Sequence, residues 1–218
     1  MSRRAALFDL DRTLVRVNTG SLYLRWQRER GLVRRRQLVR GMWWMARYAF
    51  GNLDADAIAS RAARNLRGTD EAQFRLEMKD WVHVAVAHHV SEAARREVTR
   101  REREGYLCAI VTGSTVYSAE PLAALLGIEH VLASQLCVEN GALTGDMVRP
   151  LCFGVGKVTL AEAWAGAHDV DLAASVFYSD SISDMPLFER VGERFAVNPD
   201  PRLTWTARRR GWPILRWA

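Results

Sequence analysis

Phe8-Asp9-Leu10-Asp11-Arg12-Thr13-Leu14 is the stretch on which the fold turns. The apolar run from Ala5 to Leu10 reads as a short buried strand, and two carboxylates stand two residues apart at its C-terminal end. Positions i and i+2 of a strand point to the same side, so extended geometry would aim Asp9 and Asp11 at one site. Two such acids repel each other unless a cation or a shared proton neutralises them. A hard divalent ion such as magnesium, which takes oxygen ligands, suits the pair. An Asx turn closing the strand is the plainer reading of the same residues.

The pattern recurs at Val176-Phe177-Tyr178-Ser179-Asp180-Ser181-Ile182-Ser183-Asp184-Met185-Pro186, again an apolar strand running into acids. In open α/β sheets, ligands bind outside the carboxyl ends of strands. Asp184 also stands where an N-cap would, before the apolar residues Met185, Leu187 and Phe188. Between these stretches, the strand Leu107–Val111 ends in Thr112-Gly113-Ser114. Glycine there admits close backbone approach to a ligand, and a hydroxyl with free amides can hold an anion. Finally, Gly154-Val155-Gly156-Lys157 carries one of only two lysines, Lys79 and Lys157, among thirty-one basic residues. A lysine kept in an arginine-rich chain suits a compact charge on a phosphate.

D-x-D-x-T, a later strand ending in Thr, a distant Lys and D-x-x-x-D, in this order, resemble the four motifs of the haloacid dehalogenase superfamily. The spacing is similar to the phosphoserine-phosphatase-like branch (subfamily IB), whose helical cap is inserted between the first two motifs. Asn140-Gly141-Ala142-Leu143-Thr144-Gly145, at the branch's hairpin, and the ending Asn198-Pro199-Asp200 fit as well. The resemblance implies a magnesium-dependent phosphomonoester hydrolase working through an aspartyl-phosphate. Asp9 would be the nucleophile, and Asp11 the general acid and base. Thr112, Gly113 and Lys157 would hold the phosphate. Magnesium would be held by Asp9, the Asp11 backbone carbonyl and Asp180, with Asp184 nearby. The branch's phosphoserine phosphatases carry a cap glutamate nine residues after the nucleophile, a position occupied here by Asn18. A neutral amide attracts an ammonium group weakly, so Asn18 turns the expectation from phosphoserine toward another small phosphorylated metabolite. Transfer to an acceptor alcohol and hydrolysis of lipid phosphates at a membrane surface are alternatives. A silent binding module is least favoured, because all five ionisable motif residues are present.

Composition agrees. A chain of 218 residues can bury a sizeable core with an insertion. Cys108, Cys137 and Cys152 are odd in number and scattered, reading as small hydrophobes in a reducing compartment. No leader is expected from Met1-Ser2-Arg3-Arg4, and no run of eighteen uncharged apolar residues suggests a membrane span, so a cytoplasmic location is expected. Residues 16–104 hold nineteen basic and eleven acidic residues, a surplus of eight, while the remainder is acidic by two. An acidic core suits a cation, and a basic insert suits an anionic substrate. No nucleic-acid recognition motif accompanies the charge, and Arg34-Arg35-Arg36 reads as a solvated helix face.

The expected architecture is α/β: a Rossmann-like three-layer parallel sheet with an inserted α-helical cap. Residues 1–15 and 105–218 form the core, and residues 16–104 the cap, of C1 type. Helices are expected over 19–30, 33–50, 54–67 and 70–104, the last broken near Ser91. Strands at 107–111, near 130–136, 174–179, 194–197 and 213–216 alternate with helices at 116–126, 156–167, 184–190 and 200–210. Gly41–Phe50, rich in Trp and Met, suits either cap packing or peripheral contact with lipid. His88 and His89 are adjacent, do not share a helix face, and are read as surface or packing residues. Oligomeric state is left open.

Overall fold

The structure, a computed structural model, describes residues 2–31 and 55–217. The helix expected over 33–50, with its Trp- and Met-rich segment, lies outside the described residues. Strand β1 (Ala5–Phe8) is buried on both sides and central to a six-stranded parallel sheet. The other strands are β2 (Leu107–Thr115), β3 (His130–Ser134), β6 (Val176–Ser179), β7 (Glu193–Val197) and β8 (Ile214–Leu215). Their order is β3-β2-β1-β6-β7-β8. Ala5 and Leu7 face one apolar cluster with Val111, Phe177, Val158 and Leu203. Ala6 and Phe8 face another with Ile110, Tyr178, Val98 and Leu122. This alternation is the pleat of a sheet covered on both faces, and it explains the uninterrupted apolar reading of the strands.

Helices supply those covers. Numbered among the described residues, they are α1 (Thr19–Glu29), α2 (Ala55–Arg64), α3 (Glu71–Trp81), α4 (Glu92–Arg103), α5 (Val116–Leu126), α6 (Val155–Ala167), α7 (Met185–Phe188) and α8 (Pro201–Arg210). Their ends follow local chemistry. Asp70 caps α3 by accepting from the Gln73 amide at 2.8 Å, and Asp200 caps α8 by accepting from Leu203 at 2.8 Å. α8 also has Pro201 in its first turn and closes on left-handed Gly211. Strands β4 (Leu136–Glu139) and β5 (Ala142–Met147) form the expected hairpin. Asn140 and Gly141 both take positive φ, 50° and 78°, as a two-residue turn of that hand requires.

The sequence reading placed helix over 70–104 with a break near Ser91, and the break is there: α3 runs into a π-helical turn at Val82–Val86 and a 3₁₀ turn at Ala87–His89, and the chain leaves the helix at Val90. There it meets the departing strand: Arg16 N donates to His89 O and Ser91 N to Leu14 O, both at 2.9 Å. The chain therefore leaves β1 and comes back through one paired neck. Beyond that neck, α4 buries Ala94 and Val98 and covers β2, with Cys108 Sγ donating to Val98 O. α4, assigned to the 16–104 segment by sequence, thus packs as part of the sheet's own helical layer. Its reason is its apolar face, which is buried against β2. Before the neck, α2 and α3 lean on the hairpin. Gly68 N donates to Leu143 O (2.8 Å), Leu143 N to Thr69 O (2.9 Å) and Glu71 N to Gly141 O (2.9 Å).

Candidate active site

β1, β2 and β6 are neighbours, and the strand order reverses between β1 and β6. A crevice opens at such a switch point, beyond the carboxyl ends of the strands. Asp9 and Asp180 directly follow β1 and β6, and Thr112 lies within the last four residues of β2, beyond its pairing with β1. Asp9 is held by its backbone amide, which donates to Tyr178 O at 2.8 Å. The strand geometry expected to align Asp9 with Asp11 stops at Phe8. Arg12 turns the chain through a left-handed φ of 57°, and Val15 N closes the loop on Leu10 O at 3.0 Å. A compact turn, not strand alternation, places Asp11. The Asn198 side-chain amide braces that turn by donating to Arg12 O at 2.9 Å.

Lys157, in the first turn of α6, is buried and bridges two carboxylates. Its Nζ donates to Asp9 Oδ1 at 2.7 Å and to Asp184 Oδ2 at 2.8 Å. Ser179 Oγ also donates to Asp184 Oδ2, at 2.5 Å. The capping alternative for Asp184 fails, since its side chain makes no cap hydrogen bond to α7 and turns inward instead. Lysine reaches this depth because Gly156 precedes it: a Cβ there would lie 1.9 Å from Leu151 O. Thr112 is buried, and its hydroxyl accepts from the Ser114 amide at 3.1 Å, while Gly113 between them is exposed. Asp180 is steadied through its backbone, its carbonyl accepting from Asp200 N at 2.8 Å. The Asp200 carboxylate accepts from Ile182 N at 2.8 Å.

Three residues outside the sequence-read set belong here. Thr19 N donates to Asp11 Oδ1 at 2.7 Å, and Ser114 Oγ donates to Asp11 Oδ2 at 3.0 Å. Ser179 holds Asp184, as above. Each hydroxyl lies beside a motif residue, but a serine or threonine in a loop carries no signal of its partner. Asn18 proves to be the N-cap of α1: its Oδ1 accepts from Ser21 N at 2.9 Å, and its Nδ2 approaches Asp11 Oδ2 at 3.5 Å. Its side-chain carbonyl is committed to the helix.

Burial sets the electrostatics. It pushes the Asp9 carboxyl up to about 7, with Lys157 opposing and the charge of Asp184 assisting. Burial pushes Asp180 up to about 8, with the charges of Asp9 and Asp184 adding. Asp11 is raised by burial against the hydrogen bonds from Thr19 and Ser114. Burial disfavours the Lys157 charge, but Asp184 and Asp9 more than compensate and hold its pKa above the ordinary value. Among the described residues, no three acid, histidine or cysteine side chains form a preformed metal cage. The donor set nonetheless fits a hard divalent ion: mutually repelling, buried carboxylate oxygens share one neighbouring cation, Lys157.

A probable phosphatase of Mycobacterium tuberculosis is 30% identical over 98% of this chain and 75% of its own length. A histidinol-phosphatase of Neisseria meningitidis is 26% identical over 98% of both. A crystal structure of a Bordetella pertussis protein with unknown function superposes with a TM-score of 0.89, at 29% identity over 99% of both chains. A phosphoserine phosphatase in a phospho-aspartyl intermediate analogue shares the fold, with a TM-score of 0.73 at 21% identity over 100% of this chain and 95% of its own. The family model of the haloacid dehalogenase-like hydrolases matches residues 6–189, a span that contains Asp9, Asp11, Lys157, Asp180 and Asp184, and the chain belongs to that family.

Proposed function

We propose that the chain is a magnesium-dependent phosphomonoester hydrolase acting through an aspartyl-phosphate on a small phosphorylated metabolite. One observation carries the reading: Lys157 clamps Asp9 Oδ1 and Asp184 Oδ2 at the bottom of the switch-point crevice. With Oδ1 engaged, the other Asp9 oxygen is the one left to attack phosphorus in line. Covalent catalysis splits a hindered displacement into two easier ones. Asp11 protonates the leaving alkoxide and then takes the proton of the incoming water. Thr112, the Gly113 backbone and Lys157 meet the equatorial phosphoryl oxygens, where charge is greatest. Asp9, the Asp11 carbonyl and Asp180 would hold the magnesium ion, with Asp184 beside them. When bound, the ion supplies the positive charge that lets the buried acids ionise.

The segment from residue 16 to the neck at 89–91 acts as a lid over this crevice and selects the substrate. The histidinol-phosphatase and phosphoserine phosphatase relatives suggest phosphorylated amino alcohols and amino acids as the first candidates. The capping role of Asn18 weighs against an ammonium contact at that position. The test is phosphate release across a panel of such metabolites, with magnesium and with chelator. Release that requires magnesium and is abolished in Asp9→Asn supports the proposal. No release from any member, or equal release in chelator, overturns it.

A further inference from the structure

We infer that Ser114 and Thr19 are positioning residues for proton transfer, clamping the Asp11 carboxyl between the catalytic sheet and the first helix of the lid. The inference rests on the phosphomonoesterase reading above and deepens it. Both Asp11 oxygens are held, and by different parts of the molecule. Oδ1 accepts from the Thr19 amide at 2.7 Å. This amide opens α1, an eleven-residue helix capped by Asn18, so the bond uses one of the amides left unpaired at a helix start. The helix dipole favours negative charge at the same place. Oδ2 accepts from Ser114 Oγ at 3.0 Å, and Ser114 belongs to β2. The two holders are joined, for Thr19 Oγ1 and Ser114 Oγ lie 3.0 Å apart. Thr19 is buried although it begins a helix beyond the neck.

The chemistry gives the two holders unequal parts. A backbone amide only donates, so it pins Oδ1 throughout the cycle. A hydroxyl donating to Oδ2 takes one of its two lone pairs and leaves the other free to carry the proton that passes to the leaving alkoxide and is regained from the incoming water, so Ser114 serves Oδ2 in both states. The Thr19 hydroxyl takes the other end of the Ser114 bond. Seating α1 therefore orients the proton donor, and lifting it removes the Oδ1 anchor. A free carboxylate at the loop tip would rotate, and misplacement of a catalytic group is costly to rate.

The readout is the dependence of turnover on the leaving group. Poor leaving groups such as alkyl alcohols need a well-placed acid, and p-nitrophenolate does not. Ser114→Ala is expected to lower kcat for an alkyl phosphate about tenfold, leaving KM and p-nitrophenyl phosphate turnover within about twofold, and Thr19→Val, which keeps the amide on Oδ1 and removes only the hydroxyl beside Ser114, should lower it by less. Ser114→Thr, which keeps the hydroxyl, should restore most of the loss. In an Asp11→Asn background, Ser114→Ala should have no further effect on the alkyl substrate. Equal slowing of both substrates in Ser114→Ala, wild-type alkyl turnover in it, or its full effect on top of Asp11→Asn would each overturn the clamp. A wild-type protein inactive on every phosphomonoester would overturn the underlying function instead.

Discussion

At the residue scale, the site is a problem of charge in a dry place. Lys157 and the carboxylates of Asp9 and Asp184 are buried together, so removing Lys157 leaves two carboxylates uncompensated, whereas neutralising Asp9 still leaves Lys157 paired with Asp184. Asp9→Asn keeps the shape and removes the nucleophile, and phosphate release should fall at least about a thousandfold with the thermal midpoint little changed. Beneath the site, burial pushes the Cys152 thiol up to about 12, and burial likewise pushes Cys108 up to about 12. Neither forms thiolate near neutrality. A thiol reagent on the folded protein should therefore label the half-buried Cys137 alone, with the other two reacting only after denaturation. On the far side of the sheet, burial and then the His168 charge hold His130 below its ordinary value of 6.5. The unfolded chain then takes up this proton first as pH falls, so the contribution of neutral His130 is complete above 6.5 and shrinks below it. Urea midpoints taken between about pH 7.5 and 5.5 should decline more steeply for wild type than for His130→Asn.

At the scale of elements, α6 shows how a loop aims a side chain. Gly154 takes φ 53°, and Gly156 lets the helix start against Leu151 O, so that Lys157 points into the crevice. Gly156→Ala forces that carbonyl aside and is expected to cost about 2 kcal/mol or more, with loss of turnover. Gly166, near the end of the same helix, has nothing within 4 Å of where its Cβ would lie. Gly166→Ala should be neutral or stabilising by up to about 1 kcal/mol. Paired thermal melts test both. An equal effect at the two positions would mean that helix propensity, not close approach to Leu151, governs the first.

At the scale of the whole molecule, α4 is fastened across three strands. The buried Arg101 donates to Tyr178 OH at 2.8 Å and to Glu193 Oε2 at 3.1 Å, while Tyr178 OH donates to Glu97. Tyr178 also stacks between Phe8 and Phe195, with ring centroids 4.7 and 4.9 Å away. Tyr178→Phe keeps the stack and removes the hydroxyl that links Arg101 to Glu97, leaving Nε only its longer 3.4 Å contact with Glu97, at an expected cost of about 1–3 kcal/mol in denaturant unfolding. Arg101→Met should cost less than Arg101→Ala, because the methionine chain refills the volume. Residues 16–91, up to the neck, hold fourteen basic and seven acidic residues, and this surplus acts over longer distances. If the lid gathers anions, kcat/KM should fall as salt rises while kcat holds. A flat salt profile would remove the charged lid from substrate capture. No helix among the described residues is long and apolar enough to cross a membrane.

Sequence by itself determined the sheet, since each strand is a short apolar run closed by turn residues or acids, and burial on both faces leaves such runs little else to become. It also put forward Asp9, Thr112, Lys157, Asp180 and Asp184 as candidates, from their residue types and the order of their motifs. Where α4 packs was not legible. α4 is as rich in arginine and glutamate as the helices before the neck, and only its contacts with β2 and Tyr178 assign it to the sheet layer. The reason Asp11 faces the site was not legible either. Strand periodicity ends at Phe8, and the turn at Arg12 does the placing. Most of all, Ser114, Thr19 and Ser179 became site residues only in three dimensions. Hydroxyl side chains find partners by proximity, and the proximity of Thr19 to Ser114, ninety-five positions apart, is a product of the fold.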